Sequence, residues 1–137
     1  MNNLANMFGN SYQVFDDDEN LVSVATSLEF WDDDPLALYV ERIGSRIRIF
    51  DDGMVFMHIL GSGIEYCNKS WMQTVADIAA REGVLLDDQG DFEIRAEASE
   101  VSDAFARYMS AMAAVLKWEA AEVSRIATPR VGLTANS

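Results

Sequence analysis

Residues 36–50, LALYVERIGSRIRIF, constrain this chain more than any other stretch. Two runs of alternating apolar and polar residues flank Gly44 and Ser45. Side chains of a strand point alternately to opposite faces, so such alternation marks a strand with one buried side. Leu36, Leu38 and Val40 share one face, and Ala37, Tyr39 and Glu41 the other. On the return run Ile47 and Ile49 face inward while Arg46 and Arg48 face outward. Glycine accepts the positive φ of a two-residue turn. The stretch therefore predicts an antiparallel hairpin of strands 36–43 and 46–50.

The flanking segments extend it. LVSVATSLEF (21–30) is rich in β-formers and reads as a strand, giving a three-stranded meander. DDDP (32–35) separates it from the hairpin, because Asp favours turns and Pro35 lacks an N–H. Upstream, QVFDDDEN (13–20) reads as an acidic loop, and Leu4, Met7 and Phe8 have the spacing of a short helix. After the meander, DDG (51–53) leads into an apolar helix over 54–63, which Asp51 or Asp52 is placed to cap. NKSWMQTVADIAAREG (68–83) is amphipathic, with Trp71, Val75, Ile78 and Ala79 as its buried stripe and Gly83 just past its end. VLLDDQGDFEIRA (84–96) predicts a second hairpin. A long helix runs from Ser99 or Ser102 to about residue 126, burying Val101, Phe105, Tyr108, Met112, Val115 and Leu116. The expected fold is α+β: an antiparallel meander plus a second hairpin, packed by two or three helices. One domain spans 1–128, with a flexible tail over 129–137.

Charge narrows the function. The chain carries 23 acidic residues against 10 basic ones, a formal charge of −13. Nucleic-acid affinity comes from Lys and Arg neutralising phosphates, so direct binding to DNA or RNA, or to an anionic membrane, is disfavoured. An acidic surface attracts basic protein surfaces instead. The single cysteine, Cys67, excludes an internal disulfide and cysteine-rich zinc sites, and suits a reducing cytoplasm. No apolar run reaches the length of a membrane span, and MNNLANMFGN lacks the basic and apolar regions of a signal peptide.

The series EFWDDDPLALYVERIGSRIRIFDDGMVFMHILGSGI (29–64) resembles the core of the bacterial domain-of-unknown-function family 1828. The shared order is an aromatic strand end, an acidic turn, a strand like LYVE, a short hairpin, and a DDG entering a helix. GVLLDDQGDFEIRA and the long last helix continue that order, so the likeness covers roughly 20–120. This chain departs from it in having DDDP without a glycine in the acidic turn, and Met54 after the DDG. The resemblance implies a bacterial or phage protein, from a family found in mobile elements and in part beside restriction or defence genes. It supplies no catalytic residue.

Tests for chemistry are mostly negative. The sole histidine, His58, lies within MVFMHIL, a setting that suits packing better than catalysis. Cys67 precedes the helix near Asn68, where a thiol can be activated, though packing explains it more simply. DDQGD lacks the ligand spacing of a calcium loop. There is no phosphate loop or dinucleotide fingerprint, and no cofactor is expected. Asp34, Glu41, Asp51 and Asp52 could converge as a metal-dependent nuclease needs, since strands 36–43 and 46–50 pair. No ExK follows Glu41, however, and the only lysines are Lys69 and Lys117.

The favoured expectation is a non-enzymatic, cytoplasmic protein-binding module. Its site would be Trp31, Asp32, Asp33, Asp34, Asp51 and Asp52, a negative patch at one sheet edge. The partner would present a basic surface, such as the phosphate channel of a CRISPR effector or restriction enzyme, inhibited by a phage or mobile-element protein that mimics DNA charge. Self-association is compatible with the sequence. The alternative is a metal-dependent hydrolase or nuclease using the same acids.

Overall fold

The computed structural model describes residues 13–14 and 20–127. The helix expected within 1–12 and the tail 129–137 lie outside these residues.

The meander forms as its alternation requires. Strand β2 (Leu21–Glu29) pairs antiparallel with β3 (Pro35–Ile43), and β3 with β4 (Arg46–Phe50). Val22, Val24, Leu36, Leu38, Val40, Ile47 and Ile49 are all buried on one face. Gly44 supplies the turn with φ +64°. Two findings go beyond the alternation. Gln13 and Val14, expected in a loop, form a short strand β1 (Gln13–Val14) along β2. The β2–β3 register also shifts between Ala25 and Glu29. There the Thr26 hydroxyl donates to the Leu36 carbonyl at 3.0 Å and accepts the Leu28 N–H at 3.1 Å, satisfying groups the irregular ladder leaves free.

The chain then crosses the buried face as three helices, α1 (Met54–Gly61), α2 (Ile64–Cys67) and α3 (Trp71–Ala80). It returns as β5 (Leu85–Leu86) and β6 (Phe92–Glu97), and closes with α4 (Val101–Ala127) after a single 3-10 turn over 98–100. The second hairpin joins the same sheet: β6 lies antiparallel beside β4, giving six strands in the order β1-β2-β3-β4-β6-β5. Trp71, Val75 and Ala79 of α3 are buried as the stripe predicts, with Ile78 half-buried. All six stripe residues expected on α4 are buried, together with Ala104, Ala111 and Glu119. The product is two layers, helices over one face of an antiparallel sheet, with the apolar core between them.

On the other sheet face Arg48 collects the acids. Its guanidinium contacts Asp91 at 3.0 Å and Asp87 at 3.7 Å, bonds Glu93, reaches Glu41 at 4.0 Å, and lies 4.1 Å from the centre of the Phe50 ring. No described helix is long and apolar enough to cross a membrane.

Candidate functional site

The two acidic turns have different fates. In the DDG turn, Asp52 and Gly53 both adopt left-handed backbone, with φ of +56° and +76°. That conformation swings the Asp51 carboxylate under the start of α1. There it accepts the backbone N–H groups of Val55 (2.9 Å), Gly53 (3.3 Å) and Phe92 (3.1 Å). Asp51 therefore caps α1, as expected, and also pins the first residue of β6. It is fully buried, which removes it from any recognition surface. Burial pushes its pKa up to about 6, against the pull of the three N–H donors. Asp52 is exposed.

The expected meeting of DDG with DDDP does not occur, for a reason of register. Phe50, the last residue of β4, pairs with Tyr39, so Pro35, Leu36, Ala37 and Leu38 extend past β4 with no partner on it. Four residues of strand separate the turns by about 13 Å. The acidic turn meets α1 instead, through His58.

That turn is closed by its own backbone. Phe30 N–H donates to the Asp34 carbonyl at 2.8 Å, Asp33 N–H donates to the Phe30 carbonyl at 2.9 Å, and Asp33 sits at φ +70°. Phe30 is buried, and its ring stacks on His58 with centroids 3.8 Å apart and 14° between planes. Trp31 meets the same ring edge-on at 6.1 Å but remains 46% exposed. His58 Nε2 faces both Asp32 carboxylate oxygens at 3.1 Å. Its other nitrogen, Nδ1, lies 2.6 Å from Oε2 of Glu119 on α4. Asp32, Asp34 and His58 each bring one ligand-type atom to within 4.8 Å of the others. Beside them opens a cavity of about 300 Å³ lined by Trp31, Asp32, Met57, His58, Gly61 and Ser62. Met57 is 65% exposed at its rim.

The electrostatics follow from the contacts. Burial opposes charge on His58, but hydrogen bonds and charges from Glu119 and Asp32 outweigh it and raise the imidazole pKa. Burial raises Glu119, only partly offset by His58, with a smaller contribution from the Trp31 indole. Asp32 is held below the ordinary value, since His58 and backbone N–H groups outweigh its desolvation.

Of the residues singled out from sequence, Trp31, Asp32, Asp33 and Asp34 are exposed at this turn, while Asp51 and Asp52 belong elsewhere. His58 and Glu119 were missed as site residues. A signal for Glu119 existed: it follows Val115 by four residues and Leu116 by three, so the apolar stripe of α4 runs onto a carboxylate. Phe30 is buried and Trp118 half-buried, so Trp31 is the aromatic exposed at this turn. Cys67 is exposed at the end of α2, and α3 begins only at Trp71. DDQGD is a hairpin turn, in which Asp87 Oδ1 accepts the N–H groups of Gln89 and Asp91, both at 2.9 Å.

No curated protein and no solved structure matches the chain. The sequence model of the family described as "Domain of unknown function DUF1828" matches residues 26–115, from within β2 to within α4. That span holds the acidic turn, the meander from residue 26 onward, the DDG cap, His58 and the second hairpin, and the chain belongs to this family.

Proposed function

We propose that the chain is a non-enzymatic protein-binding module that recognises a basic partner surface through the turn 31–34 and the adjoining side of α1. The supporting observation is the half-exposed Trp31 beside an open cavity lined also by Met57, Asp32 and His58. Asp33 and Asp34 stand exposed next to it. An exposed Trp ringed by carboxylates suits an inserted Lys or Arg side chain, which gains cation–π attraction, ion pairing and apolar contact in one pocket. The net charge of −13 steers a basic partner toward the molecule from a distance. Proteins that handle nucleic acid carry such surfaces in their phosphate channels. Inhibition of a CRISPR effector or restriction enzyme by a phage or mobile-element protein is the role this would serve.

Capture of partners from bacterial lysate by the immobilised chain, at rising salt, tests the reading. Capture of a specific basic protein that declines with salt, and that falls at least about thirtyfold in affinity on Trp31→Ala, supports it. Capture indifferent to salt and to the combined Trp31→Ala, Asp33→Asn and Asp34→Asn changes would sink it. The alternative is a metal-dependent hydrolase or nuclease using the same acids.

A further inference from the structure

We propose that Asp32, Asp34 and His58 bind a divalent first-row transition metal, with Glu119 positioning the imidazole. The inference goes beyond the partner reading and does not depend on it, because it concerns the isolated chain.

The donor set is mixed. Two carboxylates and an imidazole suit zinc, manganese, iron or cobalt better than magnesium, which prefers oxygen ligands throughout. Metal bonds of about 2.0–2.2 Å place neighbouring ligand atoms roughly 3–4 Å apart. The three candidate atoms already lie within 4.8 Å of one another, and Nε2 is 3.1 Å from the Asp32 oxygens. The remaining contraction falls on Asp32 and Asp34, which are exposed on the turn. His58 is not free, being clamped by the Phe30 ring on its face and Glu119 behind it.

Glu119 is the independent observation. It is fully buried, and its Oε1 accepts no hydrogen bond of regular geometry among the described residues, although the Trp31 indole is a further donor close to the carboxylate. A buried carboxylate in an apolar stripe is expensive, and a pair of packed apolar residues is often as stable or more so for fold alone. What the carboxylate accomplishes is orientation. With Nδ1–H donated to Glu119, the lone pair of Nε2 is directed at Asp32 and Asp34. A carboxylate behind a ligating imidazole is the arrangement that fixes tautomer and ring angle in metal sites. The adjacent cavity of about 300 Å³ leaves room for water or an exogenous ligand to complete the coordination.

Calorimetric titration of the metal-free full chain with Zn²⁺, paralleled by Co²⁺ and its visible absorption, tests the site. One equivalent should bind in the micromolar range or tighter, and persist in the Cys67→Ser variant. His58→Asn, or Asp32→Asn with Asp34→Asn, should weaken binding at least about a hundredfold, and Glu119→Gln about ten- to a hundredfold with a shifted Co²⁺ spectrum. Asp87→Asn should leave binding unchanged. The aspartates are exposed, so their variants remain informative even where His58 or Glu119 changes harm folding. Absence of saturable Zn²⁺ and Co²⁺ binding, loss of binding in Cys67→Ser, or unchanged binding in the double Asp variant would each overturn the proposal. In the first case a proton alone joins His58 to Asp32.

Discussion

Glu119 and His58 lie 61 residues apart in the chain and 2.6 Å apart in space, joined through Oε2 and Nδ1 beneath the acidic turn. The contact ties α4 to α1 and sets the direction of the ring that faces Asp32. Removing one partner strands the other. His58→Leu should therefore cost about 3 kcal/mol by urea unfolding, while His58→Leu combined with Glu119→Leu should return to within about 1 kcal/mol of the wild type. Additive single effects would show that the two residues do not act as a pair.

Asp51 governs a second test. Asp51→Ala leaves three backbone N–H groups without their acceptor. A loss of about 3 kcal/mol or more is expected, from about 1–3 kcal/mol for each buried donor left unmet and partial relief by water.

The same carboxylate predicts a pH dependence. Its folded pKa is raised to about 6 by burial, against about 4 when unfolded. Between those values the folded chain keeps a proton the unfolded chain has released. The Asp51 contribution to stability is therefore highest near pH 4, falls as pH rises through about 6, and is level above. Melting curves of wild type and Asp51→Asn should show the wild type losing ground to the variant over that interval. A difference that is flat, or of opposite slope, contradicts the assignment.

Position 52 separates backbone from side chain. Asp52 is exposed with φ +56°, so its side chain can be removed at little expense, whereas a β-branched residue is strained in that conformation. Asp52→Gly should stay within about 0.5 kcal/mol of wild type and Asp52→Val should lose about 1–2 kcal/mol. Equal effects in denaturation would mean the side chain, not φ, sets the tolerance.

Arg48 holds four acids on the open sheet face. Replacing it with Met leaves Glu41, Asp87 and Asp91 without their cation and Glu93 with Arg95 alone. About 2–3 kcal/mol should be lost at low salt, and a large share regained in high salt as the repulsion is screened. Salt-independent destabilisation would trace the loss to packing on Phe50 instead.

Most of the fold was legible because it is written in periodicities. The alternation of 36–50 located β3, β4 and their turn, and the stripe from Val101 to Leu116 located α4. The overhang of β3 past β4 was legible too, since the two-residue turn fixes the register and 36–43 is three residues longer than 46–50. Pairing alone does not bring the outer ends together, and the expectation that Asp34 and Asp51 share an edge overlooked that difference in length. What was not legible concerns His58 and Glu119, each unremarkable on its own helix. Only the packing of α1 against α4 brings them into one site, although a carboxylate on the apolar stripe at 119 was the available warning.

The insertion of β6 beside β4 has a consequence for biosynthesis. As the chain leaves the ribosome, β2, β3 and β4 can pair at once, but the free edge of β4 must wait for residues 92–97. During that interval Arg46 and Arg48 stand on an open strand edge without Glu97 and Glu93, the acids that later pair with them. Charges on an exposed edge deter another nascent chain from adding there. Residues that stabilise the finished sheet thus also guard the unfinished one.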